Sequence, residues 1–209
     1  MRSVEALQWR YATKKFDSQR TVSPEKLNIL KRAFNLTATS YGLQPLKLII
    51  VRNEELQQKL QKASYNQKQL STASHVLVIC IEQEVNKSFI EKYFKYVRDI
   101  RNTPEDILNP FKESLIGDFE KKPLEEIYTW ATHQAYLVLG TLLTVCAIEG
   151  IDSCPMEGFE PKKYDEILNL TEHNLRSVLA LPIGYRSQDD FFAELKKVRR
   201  PLEETIIEY

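Results

Sequence analysis

The chain has 209 residues, 43% hydrophobic and 28% charged, a composition that suits a globular protein and excludes a disordered or collagen-like one. Lys plus Arg and Asp plus Glu number 29 each, a formal net charge of zero, so the basic excess of a general nucleic-acid or anionic-membrane binder is missing. Only six glycines occur and no two stand as G-x-G; the glycine loops that cradle phosphate elsewhere are absent, and any phosphate must be held by side chains.

Residues 3–11 place Val4, Leu7 and Tyr11 on one helical face, and the N-terminal stretch lacks the apolar core of a signal peptide. A second helix has a clear start. Ser23 caps it, Pro24 is its first residue and Val22 can pack on Leu27 as a staple. Its buried face is Leu27, Leu30 and Phe34, and it ends before Gly42. Val- and Ile-rich runs at 46–52 and 75–82 predict strands covered on both faces, with helix over 53–73 between them. Helices follow near 86–101 and 104–117. A long helix can then run from Leu124 to Gly150, roughly 40 Å at 1.5 Å per residue. Its uncharged run, 135–148, is 14 residues long, short of the ~20 that a membrane span needs. It therefore reads as a core helix, covered by a sheet, by other helices or by a second subunit. Strands at 152–156 and 177–185 flank a helix at 161–168.

The chain ends in LEETIIEY, where Thr205, Ile206 and Ile207 favour a strand. Such a strand must pair with a sheet edge, its own or a partner's. These elements predict one α+β domain over residues 1–209, with no membrane span. Cys80, Cys146 and Cys154 make no CxxC or zinc spacing, and an odd number suggests free thiols in a reducing, cytoplasmic setting. His75, His133 and His173 lack ligand spacing, so no metal is expected.

Six short motifs stand in order along the chain: RYATKKFD at 10–17, LQPLKLIIV at 43–51, NQKQLSTASHVLVIC at 66–80, PMEGF at 155–159, LALPIGYR at 179–186 and KKVRRP at 196–201. Together they resemble the FMN-dependent nitroreductase family, in the bacterial branch that holds oxygen-insensitive nitroreductases, flavin reductases and dihydropteridine reductases. The resemblance implies a nitroreductase-like α+β fold with a central, mostly antiparallel sheet flanked by helices. It implies an intertwined homodimer whose C-terminal strand crosses to the partner, with two FMN sites at the interface. The activity implied is transfer of hydride from NAD(P)H through flavin N5 to a small nitroaromatic, quinone, flavin or pteridine acceptor, by ping-pong kinetics. The partners are then a second copy and small molecules, not nucleic acid or membrane.

The same resemblance assigns the site. Arg10, Lys197 and Arg199 fall at the phosphate positions; Arg offers a planar fork to phosphate oxygens and Lys a point charge. Lys14 falls near N1 and O2 of the ring, where at roughly 4 Å and an effective dielectric of 20 it is worth about 4 kcal/mol to a ring anion before desolvation. Asn66 matches the amide on the pyrimidine edge. Pro155, Met156, Glu157 and Gly158 match the segment along the ring, with the Glu157 N–H toward N5 and Gly158 allowing close approach. No side chain acts as a nucleophile, because the cofactor carries the chemistry. Thr39, Ser40, Gly42 and Gln134 would reach the FMN of the other subunit. Tyr41, Tyr65, Ile116 and Phe119 would line the acceptor pocket.

The chain also departs from the branch. Ala12 replaces a serine, Gln69 often a lysine and Tyr11 a common histidine. Ala12 and Gln69 leave open a second reading, a non-catalytic FMN-binding protein for storage or sensing.

Overall fold

Capping side chains set where the helices start. In the computed structural model, which describes residues 3–209, Ser23 is extended and its hydroxyl accepts the Lys26 N–H, so helix α2 (Pro24–Leu36) begins on Pro24. Asn53 and Asn86 do the same for α3 (Glu54–Lys62) and α5 (Lys87–Arg101). α5 ends at Asn102, whose left-handed backbone stops it. α6 (Glu105–Glu120) and α7 (Leu124–Ile148) follow Pro104 and Pro123. Short helices α1 (Ser3–Trp9), α4 (Gln69–Thr72) and α8 (Pro161–Ile167) complete the set.

Four strands form one antiparallel sheet in the order β1 (Leu46–Val51), β2 (His75–Glu82), β4 (Leu175–Gly184), β3 (Asp152–Ser153). β2 pairs on both sides and is buried along nearly its whole length. β1 does not match the strand covered on both faces that its hydropathy predicts. It is the sheet edge, with residues 47–50 partly exposed. The predicted strand at 152–156 is regular only at Asp152–Ser153, but the extended path continues. The N–H groups of Cys154 and Met156 donate to the Pro182 and Ala180 carbonyls at 3.0 and 2.8 Å.

α7 covers one face of the sheet. Its Ala131, Ala135, Val138, Leu142 and Cys146 cluster with Leu77, Ile79, Leu179 and Leu181. By length and composition α7 could cross a membrane; its apolar character is accounted for by this packing. It is not covered all round, however: Leu137, Gly140 and Ile148 lie exposed along one side, Leu137 at 54%. On the other sheet face, Leu60 of α3 and Tyr164 of α8 pack with Val76, Val78, Cys154 and Ala180. A third cluster joins α5 to α6 through Ile90, Phe94, Leu115, Ile116 and Phe119.

Three further expectations need correction. The helix predicted over 53–73 breaks after Lys62, because Tyr65 and Asn66 both take left-handed φ, 54° and 58°, and two such residues in a row cannot continue a right-handed helix. The N-terminal face is not buried: Val4 is 65% and Leu7 46% exposed, the inward residue is Ala6, and Tyr11 lies beyond the helix end. The C-terminal strand does not form within the chain. Residues 202–204 make one 3-10 turn and 205–209 have no regular structure, with Ile207 78% exposed. A strand without an edge to pair with leaves its backbone groups to water.

Leu77 is fully buried in the central strand. Leu77→Ala is expected to cost about 2–5 kcal/mol, read as a lower urea midpoint at unchanged slope; an unchanged midpoint would contradict the packing described.

Candidate functional site

The site is organised where β3 leaves the sheet. The segment after α1 runs beside β3: Ala12 forms a parallel bridge to Ser153, and the Thr13 N–H donates to the Ser153 carbonyl at 3.3 Å. Two buried carboxylates fix this segment. Asp152 accepts from Nε and the backbone N–H of Arg186, both at 2.8 Å, and the Arg186 guanidinium lies over the rings of Trp9 and Tyr11. Asp190 accepts from the Tyr11 hydroxyl at 2.8 Å and from the N–H groups of Lys14, Lys15 and Phe192. Burial first, and then Asp190, hold the Tyr11 phenol well above its ordinary range. With its backbone held, Lys14 brings Nζ to 3.8 Å from Cys154 Sγ. Burial pushes the Cys154 thiol up, and Lys14 opposes that rise.

Arg10, Lys197 and Arg199 line one concavity of about 370 Å³ together with Trp9, Tyr11, Ala12 and Lys14. Lys197 ties the C-terminal segment to the first helix, donating to the carbonyls of Leu7 (2.6 Å) and Arg10. Among the described residues none of the three cations has an ion-pair partner, and the buried Arg10 Nε has no hydrogen bond. Burial and the neighbouring Arg199 lower the Arg10 guanidinium; burial, Arg10 and Arg199 lower the Lys197 ammonium. Three cations gathered in one concavity without an acidic partner among the described residues have the charge to suit an anion.

Pro155, Met156, Glu157 and Gly158 continue from Cys154. Met156 pairs with Ala180 of β4, and the exposed Glu157 and Gly158 follow in a tight turn in which the Phe159 N–H donates to the Glu157 carbonyl at 2.9 Å. The loop between α3 and α4 lies against this turn. Gln67 donates to the Gly158 carbonyl at 2.8 Å, and Gln69, buried, donates to Gln67 Oε1 at 3.0 Å and faces Met156 Sδ. Asn66 is exposed on the same loop. From α7, the Tyr136 hydroxyl donates to the Glu157 carboxylate at 2.7 Å, a bond that raises the phenol pKa.

The remaining predicted residues gather elsewhere in the chain. The Ser40 N–H donates to Gln134 Oε1 at 2.8 Å, joining the 39–42 segment to α7. Tyr41 and Gly42 both take positive φ (58° and 72°), and a Cβ at Gly42 would collide with the Tyr93 hydroxyl. Tyr41 meets Phe119 edge-to-face and lies near a tilted Trp130 ring. Gln134 and Tyr136 are about 200° apart around their helix, so the Thr39–Gly42 group and the Glu157 group lie on different sides of α7. The structure does not gather the four predicted lining residues around one opening. Tyr41 is half-exposed, Ile116 and Phe119 are buried at 4% in the α5–α6 core, and Tyr65 stands on the 66–69 side. Sequence reasoning also missed Asp190, Arg186, Gln67 and Tyr136. Asp190 left one legible signal, since it caps the 3-10 turn Phe191–Glu194; the other three act through contacts distant in sequence.

Comparison with known proteins bears on this arrangement. Residues 7–185 match the family model described as Nitroreductase family. The chain is 35% identical over 216 aligned residues to the Staphylococcus haemolyticus protein SH0546, covering 97% of this chain and 95% of that one. It is 31% identical over 207 residues to the oxygen-insensitive NAD(P)H nitroreductase of Salmonella typhimurium, covering 95% of each. A solved structure from Exiguobacterium sibiricum, determined in complex with FMN, superposes with a TM-score of 0.86 at 20% identity, covering 100% of this chain and 98% of that one.

Asp190→Ala removes the acceptor for one hydroxyl and three backbone N–H groups. It is expected to cost about 1.5–3 kcal/mol and to speed hydrogen exchange at residues 11–15. A variant with the wild-type urea midpoint and wild-type exchange there would contradict the role given to this carboxylate.

Proposed function

The chain belongs to the nitroreductase family, and from that membership we propose that it is a homodimeric, cytoplasmic FMN-dependent NAD(P)H oxidoreductase acting on small acceptors such as nitroaromatics, quinones, flavins or pteridines. The observation that carries the reading is the cluster of Arg10, Lys197 and Arg199, which among the described residues has no acidic partner and includes a buried Arg10 Nε without a hydrogen bond. A phosphate monoester near −2 fits that donor set, since Arg presents a fork and Lys a point charge. When bound, FMN supplies the hydride chemistry, from NAD(P)H to the acceptor, through N5.

The chain's own residues divide the rest of the work. Lys14 lines the same concavity as the phosphate cluster, and would place positive charge near N1 and O2 of a bound ring. Asn66 offers its amide to the pyrimidine edge, with Tyr11, Ala12 and Gln69 flanking. Among the described residues the Glu157 and Gly158 N–H groups find no acceptor, which suits a segment lying along an acceptor edge. Thr39, Ser40, Gly42 and Gln134 of the partner subunit would complete each site. The support is that Gln134 and Tyr136 lie on different sides of α7, so one helix can serve two sites.

Exposed apolar surface supports the dimer. Leu137, Gly140 and Ile148 on α7, Val4 and Leu7 on α1, and Ile206 and Ile207 at the C-terminus are uncovered in the single chain. The sheet has an open edge at β1, and the adjoining groove carries Lys31, Lys47 and Lys92 against one carboxylate, Glu82, which pairs with Lys47 at 3.9 Å. The C-terminal segment carries Glu203, Glu204 and Glu208. The charges complement each other, and a strand crossing from the partner would satisfy the edge.

Anaerobic absorbance of the purified protein reconstituted with FMN tests the reading. NADH or NADPH should bleach the bound flavin; a spectrum that persists with both donors would favour FMN storage or sensing. Arg10→Ala and Lys197→Ala should each weaken FMN retention roughly 10–100-fold with the circular dichroism unchanged. Full occupancy in the double variant would defeat the phosphate assignment. Removing residues 202–209 should shift sedimentation toward monomer and lower the melting temperature, and an unchanged profile would count against strand exchange.

A further inference from the structure

The turn Glu157–Gly158 is held by its acceptors and free at its donors. The Glu157 carbonyl accepts from the Phe159 N–H at 2.9 Å, and the Gly158 carbonyl from Gln67 Nε2 at 2.8 Å. The Glu157 carboxylate accepts from the Tyr136 hydroxyl at 2.7 Å. On either side the backbone is pinned: Met156 pairs in both directions with Ala180, and the Glu160 N–H donates to the Ala63 carbonyl at 2.9 Å. Among the described residues, the N–H groups of Glu157 and Gly158 have no hydrogen-bond acceptor. Such an arrangement fixes a pair of donors without using them, which is how a preorganised hydrogen-bond site is built.

Resting on the FMN reading above, we propose that Gln67 and Tyr136 are positioning residues that hold the 157–158 peptide from two sides, so that its free N–H groups keep one direction toward the reacting edge of the ring. Gln67 grips the main chain and Tyr136 the side chain, so the turn is fixed against rotation about both. Gln69 sets the orientation of Gln67. Its amide donates to Gln67 Oε1, which leaves the Gln67 NH₂ as the group facing Gly158. A neutral amide at 69 thus serves the clamp, where a lysine would place a charge. Gly158 fits the same account, because a Cβ there would stand 3.2 Å from Gln67 Nε2 and crowd the bond.

Gln67→Glu is the sharp variant. It keeps the shape and the acceptor for Gln69 but loses the donor to Gly158 and sets a carboxylate against that carbonyl. Tyr136→Phe is its independent counterpart, a loss of one hydroxyl from a half-exposed ring. In the FMN-free protein, each variant should show faster hydrogen exchange over residues 156–159 and unchanged exchange over 76–82. Reconstituted with FMN, each should keep its FMN affinity within about threefold. The rate constant for flavin reduction by NAD(P)H should fall roughly tenfold, the loss of one aligned hydrogen bond, with the dissociation constant for the nicotinamide unchanged. Wild-type exchange in both variants, or faster exchange with a wild-type reduction rate, would overturn the assignment while leaving FMN binding intact. A wild-type protein that binds no FMN would overturn the reading beneath the clamp, and the assignment with it.

Discussion

Like charges converge in one concavity: Arg10, Lys197 and Arg199 line it, burial and Arg199 lower the Arg10 guanidinium, burial, Arg10 and Arg199 lower the Lys197 ammonium, and no carboxylate among the described residues pairs with them. A folded chain holds such a cluster at a cost in self-repulsion, which a bound anion relieves. The neighbouring architecture is consistent with keeping the cluster in place. Lys197 is not free to swing away, because its ammonium is tied to the carbonyls that end the first helix. The segment leaving that helix is fixed by Asp190 and by the Asp152–Arg186 pair. Each of these carboxylates is buried and hydrogen-bonded several times over, the condition under which a buried charge is tolerated.

From this anchor the chain lays out a path. Residues 10–14 run beside β3, β3 leads through Cys154 and Pro155 to the Glu157–Gly158 turn, and the 66–69 loop closes against that turn. Cations stand at one end and free backbone donors at the other. α7 is common to this path and to the Thr39–Gly42 group, presenting Tyr136 to one and Gln134 to the other. A helix with two working sides and an apolar third side is economical in a dimer, where each copy can complete the other's site.

Much of the fold was legible in the sequence. The cap at Ser23, the β2 run and the uncharged core of α7 follow from local propensity and hydropathy, and their predicted bounds lie close to those seen. What failed was governed by tertiary or quaternary context. β1 reads like a central strand because Ile49, Ile50 and Val51 are apolar, yet hydropathy cannot tell an edge strand from a covered one. Val4 and Leu7 read as one face of a helix, and Ile206 and Ile207 as part of a strand, and all four are exposed in the single chain. The break at Tyr65–Asn66 was hidden because neither residue demands a left-handed backbone. The motifs single out the segments at 10–14, 66–69, 155–158 and 197–199, and the fold brings 10–14 beside 197–199 and 66–69 against 155–158. The side chains that join them, Asp190, Arg186, Gln67 and Tyr136, act across long sequence separations, so even the cap at Asp190 and the motifs that hold Arg186 and Gln67 do not reveal their partners. Ile116 and Phe119 show the reverse error, apolar residues assigned to an opening and found in a core.

The central claim is that the cation cluster exists to hold a phosphate. Comparing the affinity of the wild-type protein for FMN and for riboflavin, which lacks the phosphate, at low and high salt tests it most directly. FMN should bind at least about a hundredfold more tightly at low salt, and the gap should narrow as salt screens the cluster. Equal affinity for the two flavins, or a preference insensitive to salt, would contradict the account.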